Sequence, residues 1–178
     1  MELIKTGFEG LLVVKHNVFE DERGLFVKTY NNQIFEKLGI DLKINERYYS
    51  ISNKNVIRGM HFQTPPADHI KLVTLISGRI LDVVLDLRQN SKTFGKFFSL
   101  EIDGPQGKTI YIPKGFAHGF KAMENNTIVE YNQTIGYAPE NDAGIHFNSF
   151  GFDWQTSNPI LSARDLEFIN FHKFKSPF

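Results

Sequence analysis

Residues 71–88 read KLVTLISGRILDVVLDLR, and the alternation within them decides the fold. Successive side chains of a strand leave opposite faces. Ile80, Asp82 and Val84 therefore share one face, and Leu81, Val83 and Leu85 share the other. Both faces are largely apolar, which suits a strand held between two sheets. Outward from this stretch the same character recurs. GLLVVKHNVF (10–19), GLFVKTY (24–30), RYYSIS (47–52), NVIRGMHF (55–62), GKFFSLEI (95–102), KTIYIPKGF (108–116), HGFKAM (118–123) and TIVEYNQTIGYA (127–138) are short and rich in β-branched or aromatic residues. Gly, Asn, Asp or Pro separates them, as expected of strands joined by turns. Many short strands at regular spacing predict an all-β fold, a β-sandwich or jelly roll, rather than a parallel α/β sheet.

Two short helices are expected. NNQIFEKLG (31–39) places Ile34, Phe35 and Leu38 on one face and ends at Gly39, a good C-terminal cap. The second starts after Ser162, whose hydroxyl caps ARDLEFI, with Asp165 at the capping-box position.

Bulk properties narrow the function. The 178 residues fit one domain, taken as 1–178, with a sizeable core. Twenty Lys and Arg balance twenty Asp and Glu. That neutrality argues against a nucleic-acid or membrane-surface partner. There is no cysteine, which removes disulfides, thiolate metal sites and cysteine nucleophiles, and suits a reducing cytoplasm. No signal peptide or membrane-spanning apolar run is read at the sequence level. The 17 phenylalanines fit an aromatic-rich β core.

Four segments carry reactive groups: RGMHFQTPP (58–66) with Arg58 and His61, Lys71, IPKGFAHGF (112–120) with His118, and Tyr131. Arg58 and His61 are three apart, so a regular strand would send them to opposite faces. A bend at Gly59 is expected if both serve one pocket. Gly107, Pro113, Gly115 and His118 have the spacing of the second cupin motif. The first motif of metal cupins is poorly matched, since His61 is followed two residues on by Gln63. No metal site is expected, because a stable mononuclear centre needs three or more protein ligands.

In order, DERGLF (21–26), RGMHFQTPP, residues 71–88, SKTFGKFFSLEI (91–102), IPKGFAHGF, YAPENDAGI (137–145), FDW (152–154) and PILSARD (159–165) resemble the dTDP-4-dehydrorhamnose 3,5-epimerase family. The resemblance implies a cupin-like jelly roll, a homodimer that exchanges strands, and no cofactor. It implies epimerisation at carbons 3 and 5 of a 4-keto-6-deoxy sugar on a nucleoside diphosphate. By the same resemblance His61 is the base, Tyr131 the acid, Asp165 the partner of His61, and Lys71 a cation near the ketone oxygen. His118 lies along the pocket, and Asp82 orients it. Arg58 holds pyrophosphate, and Arg23 does so from the partner subunit.

Such residues suit the chemistry. Removing a proton beside a ketone gives an enolate, which needs a base on one face, a stabilised oxyanion, and an acid on the other face. The nucleotide contacts depart from the family. Lys28 stands for a usual glutamate, Glu46 for a glutamine and Tyr48 for an asparagine, while Asp142 and Arg164 replace a glutamate and a lysine. A carboxylate accepts only, whereas an amide also donates, so these changes leave the base open. A monoepimerase, a ketoisomerase and a non-catalytic sugar-binding cupin are the competing readings.

Overall fold

The computed structural model describes residues 1–178, apart from the side chain of Pro105. Thirteen strands run in chain order: β1 Glu2–Lys5, β2 Leu12–Lys15, β3 Val18–Asp21, β4 Gly24–Val27, β5 Glu46–Ser52, β6 Ile57–Gln63, β7 Lys71–Ser77, β8 Arg79–Asp86, β9 Phe97–Asp103, β10 Lys108–Ile112, β11 Phe116–Ala122, β12 Thr127–Gln133 and β13 Asp142–Gly144. Two sheets form, in the orders β1-β2-β10-β7-β12-β5 and β13-β6-β11-β8-β9, and β3 pairs with β4 as a separate hairpin. All these strand pairs are antiparallel. This is a jelly roll, as the strand spacing predicts, and of the cupin-like kind that the resemblance implies.

The inner faces meet in one core. Val73 and Leu75 of β7, Ile80 and Val84 of β8, Phe116 and Phe120 of β11, and Val129 of β12 are all buried there. The opposite face of β8 is also covered, though not by a second sheet. Val83 and Leu85 pack with Ile57, Met60, Phe62 and Trp154 under an irregular wrap, residues 145–178. The wrap bonds back onto β6: Met60 and Ile145 exchange backbone hydrogen bonds of 3.1 and 3.0 Å, and the Ile57 amide donates to Ile160 at 2.9 Å. Its phenylalanines, Phe171, Phe174 and Phe178 among them, lie against the sheet. The aromatic C-terminal stretch thus has a place that no periodicity in the sequence assigns.

The helices fall where expected. α1 spans Asn32–Lys37, with the Asn31 side chain accepting from the Ile34 amide and Phe35 buried. Gly39 follows at φ 79°, the left-handed cap that a glycine adopts without strain. α2 spans only Ala163–Leu166, and the Ser162 hydroxyl accepts from the Asp165 amide at 3.1 Å. The Asp165 carboxylate does not close a capping box. It turns inward to the buried Gly59 amide and the partly buried His61 ring.

Candidate active site

Between the sheets lies a cavity of about 520 Å³. That is the size range of small-molecule sites. Its walls follow from strand phase. On β7, Lys71 is in step with the inward Val73 and Leu75, so a lysine faces the core. On β11, His118 is in step with Phe116 and Phe120, and on β12 Tyr131 is in step with Val129.

β6 needs a special device. His118 pairs with His61, and Phe120, two residues on, pairs with Arg58. Between these pairs Gly119 alone of β11 therefore faces two residues of β6, Gly59 and Met60. This is a β-bulge, and the extra residue puts Arg58 and His61 on the same side. Gly59 supplies it, at φ 136°. A Cβ built there would stand 2.5 Å from the Gly119 Cα and 2.9 Å from the His118 carbonyl oxygen. Only paired glycines allow the two backbones so close.

Two imidazole–carboxylate pairs result. His61 Nε2 lies 2.9 Å from Asp165 Oδ1, and Asp165 also accepts from the Gly59 amide at 3.2 Å. Asp165 is buried, and burial pushes its carboxyl up. The His61 ring and the Gly59 amide more than offset this and hold it below the ordinary carboxylate range. An ionised carboxylate only accepts, so Nε2 carries the ring proton and Nδ1 keeps its lone pair. Burial lowers the His61 pKa, Asp165 opposes that, and Lys71 and Arg164 lower it further. The resting ring is therefore neutral and able to take a proton. Buried His118 is held the same way, with Nε2 2.7 Å from Asp82 Oδ2.

Cations surround the space. Burial lowers Lys71 to a pKa of about 8, against the raising influence of Asp142 and Asp82. Arg58 is anchored by Ser52 Oγ at 3.0 Å and the Ile51 carbonyl at 3.2 Å. Arg164 pairs with Asp142 at 2.6 Å. Tyr131 is buried, and burial raises its phenol well above the ordinary value, so it stays protonated. Its hydroxyl is 3.4 Å from Ser50 Oγ.

Of the residues expected from sequence, Glu46, Tyr48, Arg58, His61, Lys71, His118, Tyr131, Asp142 and Arg164 line the cavity, with Asp165 and Asp82 behind the histidines. Arg23 and Lys28 do not. Arg23 is at the β3–β4 turn, its side chain 89% exposed and paired with Asp21 at 2.5 Å, and Lys28 lies just beyond β4. That hairpin stands outside both sheets, so neither residue reaches this chain's own cavity. Gln63, His69, Gln133 and Tyr137, to which the sequence assigns no role, also line the cavity. Gln63 and Gln133 follow His61 and Tyr131 by two, so strand phase alone could have found them. His69 sits in a loop that gives no such signal. Among the described residues no three His, Asp or Glu side chains form a metal-ligand group, and no helix is long and apolar enough to cross a membrane.

A family model described as dTDP-4-dehydrorhamnose 3,5-epimerase matches residues 5–173. The chain is 39% identical over 169 residues to the Escherichia coli dTDP-4-dehydrorhamnose 3,5-epimerase, covering 93% of this chain and 91% of that one. It is 38% identical over 167 residues to its counterpart from Methanothermobacter thermautotrophicus, covering 91% and 90%. A crystal structure of the Legionella pneumophila dTDP-6-deoxy-D-glucose-3,5-epimerase, in complex with dTDP-4-keto-L-rhamnose, superposes with a TM-score of 0.92 at 30% identity, covering 98% of this chain and 94% of that one.

Proposed function

Since the chain belongs to the dTDP-4-dehydrorhamnose 3,5-epimerase family and is an isomerase, we propose that it inverts carbon 3, carbon 5 or both of a nucleoside-diphosphate 4-keto-6-deoxyhexose through an enolate. The observation that carries this reading is the pairing of His61 and Tyr131 in one cavity, on opposite sheets, with Lys71 beside them. His61 Nδ1 takes the proton next to the ketone. The imidazolium so formed is stabilised by Asp165. Lys71 supports the charge that develops on the carbonyl oxygen, with the His118–Asp82 pair further along the pocket. Tyr131 returns a proton from the other face, and the configuration inverts. No cofactor is required, because each proton has a donor and an acceptor among these side chains.

Arg58 grips the diphosphate, since a planar guanidinium matches two phosphate oxygens. Asp142 and Arg164 flank the substrate as a pair. Arg23 and Lys28 serve a neighbouring subunit. The β3–β4 hairpin that carries Arg23 exposes Phe19 at 59% and Phe26 at 61%, which suits a homodimer in which each hairpin enters the partner's cavity. The lack of cysteine suits a cytoplasmic enzyme.

The carrier base is open, because Glu46 lines the cavity with no hydrogen bond or ion pair among the described residues and can only accept. The test is to offer the 4-keto-6-deoxyhexose on thymidine, guanosine, cytidine and uridine diphosphates in D₂O. We expect solvent deuterium at carbon 3 or 5 by NMR, with one carrier preferred at least about tenfold, as a lost or gained base hydrogen bond implies. Tight binding of a carrier with no exchange from any of the four would identify a binding protein instead.

The pH profile follows from the same geometry. The base must be unprotonated, so kcat/KM falls as pH drops through the His61 pKa, which lies below its ordinary 6.5. The charge on Lys71 is lost as pH rises through about 8. We expect a bell between these limits. Asp165→Asn removes the group that raises His61, so the acid limb moves to lower pH while the plateau falls about 100-fold. An acid limb that stays put or moves up would contradict the assignment.

A further inference from the structure

Tyr48 of β5 and Tyr131 of β12 are directly opposite each other in the ladder. Their rings are stacked, with centroids 4.8 Å apart and planes 19° from parallel. Tyr131 has little else to fix its hydroxyl. The one hydrogen bond it makes among the described residues, to Ser50 Oγ, is at the long limit of 3.4 Å. The His118 ring meets it edge-on at 6.5 Å. Tyr48 is better held, because the Gln133 amide donates to its hydroxyl. That anchor comes from the same strand as Tyr131, two residues on, so Gln133, Tyr48 and Tyr131 form one braced unit.

We propose that Tyr48 is the positioning residue for Tyr131, fixing the phenol on the face opposite His61 and so setting what fraction of enolates end in inversion. This rests on the epimerase reading above. Once the enolate exists it has two fates. The proton returns from His61, which restores the starting configuration, or it comes from Tyr131, which inverts the carbon. Because the His61 ring is 29% exposed, its acquired proton exchanges with solvent. In D₂O the first route therefore gives labelled substrate and the second labelled product. A phenol that has lost its brace gives more of the first. Misplacement of a catalytic group by about 1 Å costs up to roughly 100-fold. Loss of bulk folding or of substrate binding lowers both routes together and leaves their ratio alone.

The ratio of deuterated substrate to inverted product therefore decides the matter. It is measured by NMR on whichever diphosphate carrier the wild-type protein processes. Tyr48→Leu removes the stack, and we expect the ratio to rise about tenfold or more, with kcat lowered and KM changed less than about threefold. Tyr48→Phe keeps the stack but loses the bond from Gln133, so its ratio should lie clearly below that of the leucine variant. Tyr48 is 41% exposed, so removing its ring opens no sealed void. Should the leucine variant fold poorly, Tyr48→Thr makes the same demand with a residue that favours strands. An unchanged ratio in the variants without the ring, or a ratio raised as much by phenylalanine as by leucine, overturns the proposal. Wild-type protein that exchanges no deuterium overturns the epimerase reading itself, and this proposal with it.

Discussion

His61→Ala should leave a folded protein that incorporates no measurable deuterium into a 4-keto sugar, with epimerisation lowered at least about 1000-fold. A positioned general base contributes roughly 10² to 10⁴ in rate, and the cavity offers no equivalent replacement. His118 is the other imidazole held by a carboxylate, but it is directly opposite His61 on the neighbouring strand and buried at 3% exposure. Removing the ring also strips Asp165 of its His61 partner, leaving the Gly59 amide and a desolvated carboxylate. That loss costs about 1–3 kcal/mol. His61→Gln separates the two effects: its amide can still donate to Asp165 but has no lone pair of comparable basicity. The glutamine variant is expected to melt near the wild-type temperature and to be as inactive as the alanine variant. Exchange retained in either would remove His61 from its role.

Gly59→Ala is expected to be the most damaging change of one methyl group. Its Cβ would lie 2.5 Å from the Gly119 Cα, which is backbone and cannot swing aside. The φ of 136° adds strain for any residue with a side chain. Together these effects cost about 3–5 kcal/mol, which for a chain of this size lowers Tm by roughly 10 °C or more. Relief requires β6 to move away from β11, and that separates Arg58 and His61 from their common side. Activity should therefore fall below the fraction of protein that remains folded. Gly39→Ala is the control. It also has a positive φ, the milder 79°, and nothing within 4 Å, so about 1 kcal/mol is expected. Equal losses at the two positions would show that backbone preference, not the close approach, governs β6.

Much of this arrangement is legible in the sequence, and the reasons are local. Alternation in 80–85 assigns the two faces of β8 correctly, because strand phase has a fixed period of two. Lys71 is in step with the inward Val73 and Leu75, although in the sequence its place in the pocket comes from the resemblance. The three-residue interval between Arg58 and His61 requires an irregularity, and Gly59 is where the bulge occurs. What escapes is what depends on register between distant segments. β1 and β13 are three or four residues long and have no pattern of their own. The stack of Tyr48 on Tyr131 joins residues from strands far apart in the chain, β5 and β12, so the sequence assigns Tyr48 only the nucleotide role implied by resemblance. The cover over the five-stranded sheet escapes too, since an irregular chain has no periodicity. The separation of Arg23 and Lys28 from the cavity depends on where the β3–β4 hairpin stands, which no local signal states.

Asp165 gives the wrap a second meaning. Every other side chain assigned to proton transfer is carried by the two sheets, but the carboxylate behind His61 comes from α2, within the wrap over the five-stranded sheet. Until that stretch is seated, the imidazole has neither its tautomer fixed nor a counter-charge for the proton it accepts. A chain that has folded only its sheets therefore lacks both that partner and the Arg164 side chain at the cavity wall, so seating of the wrap completes the site.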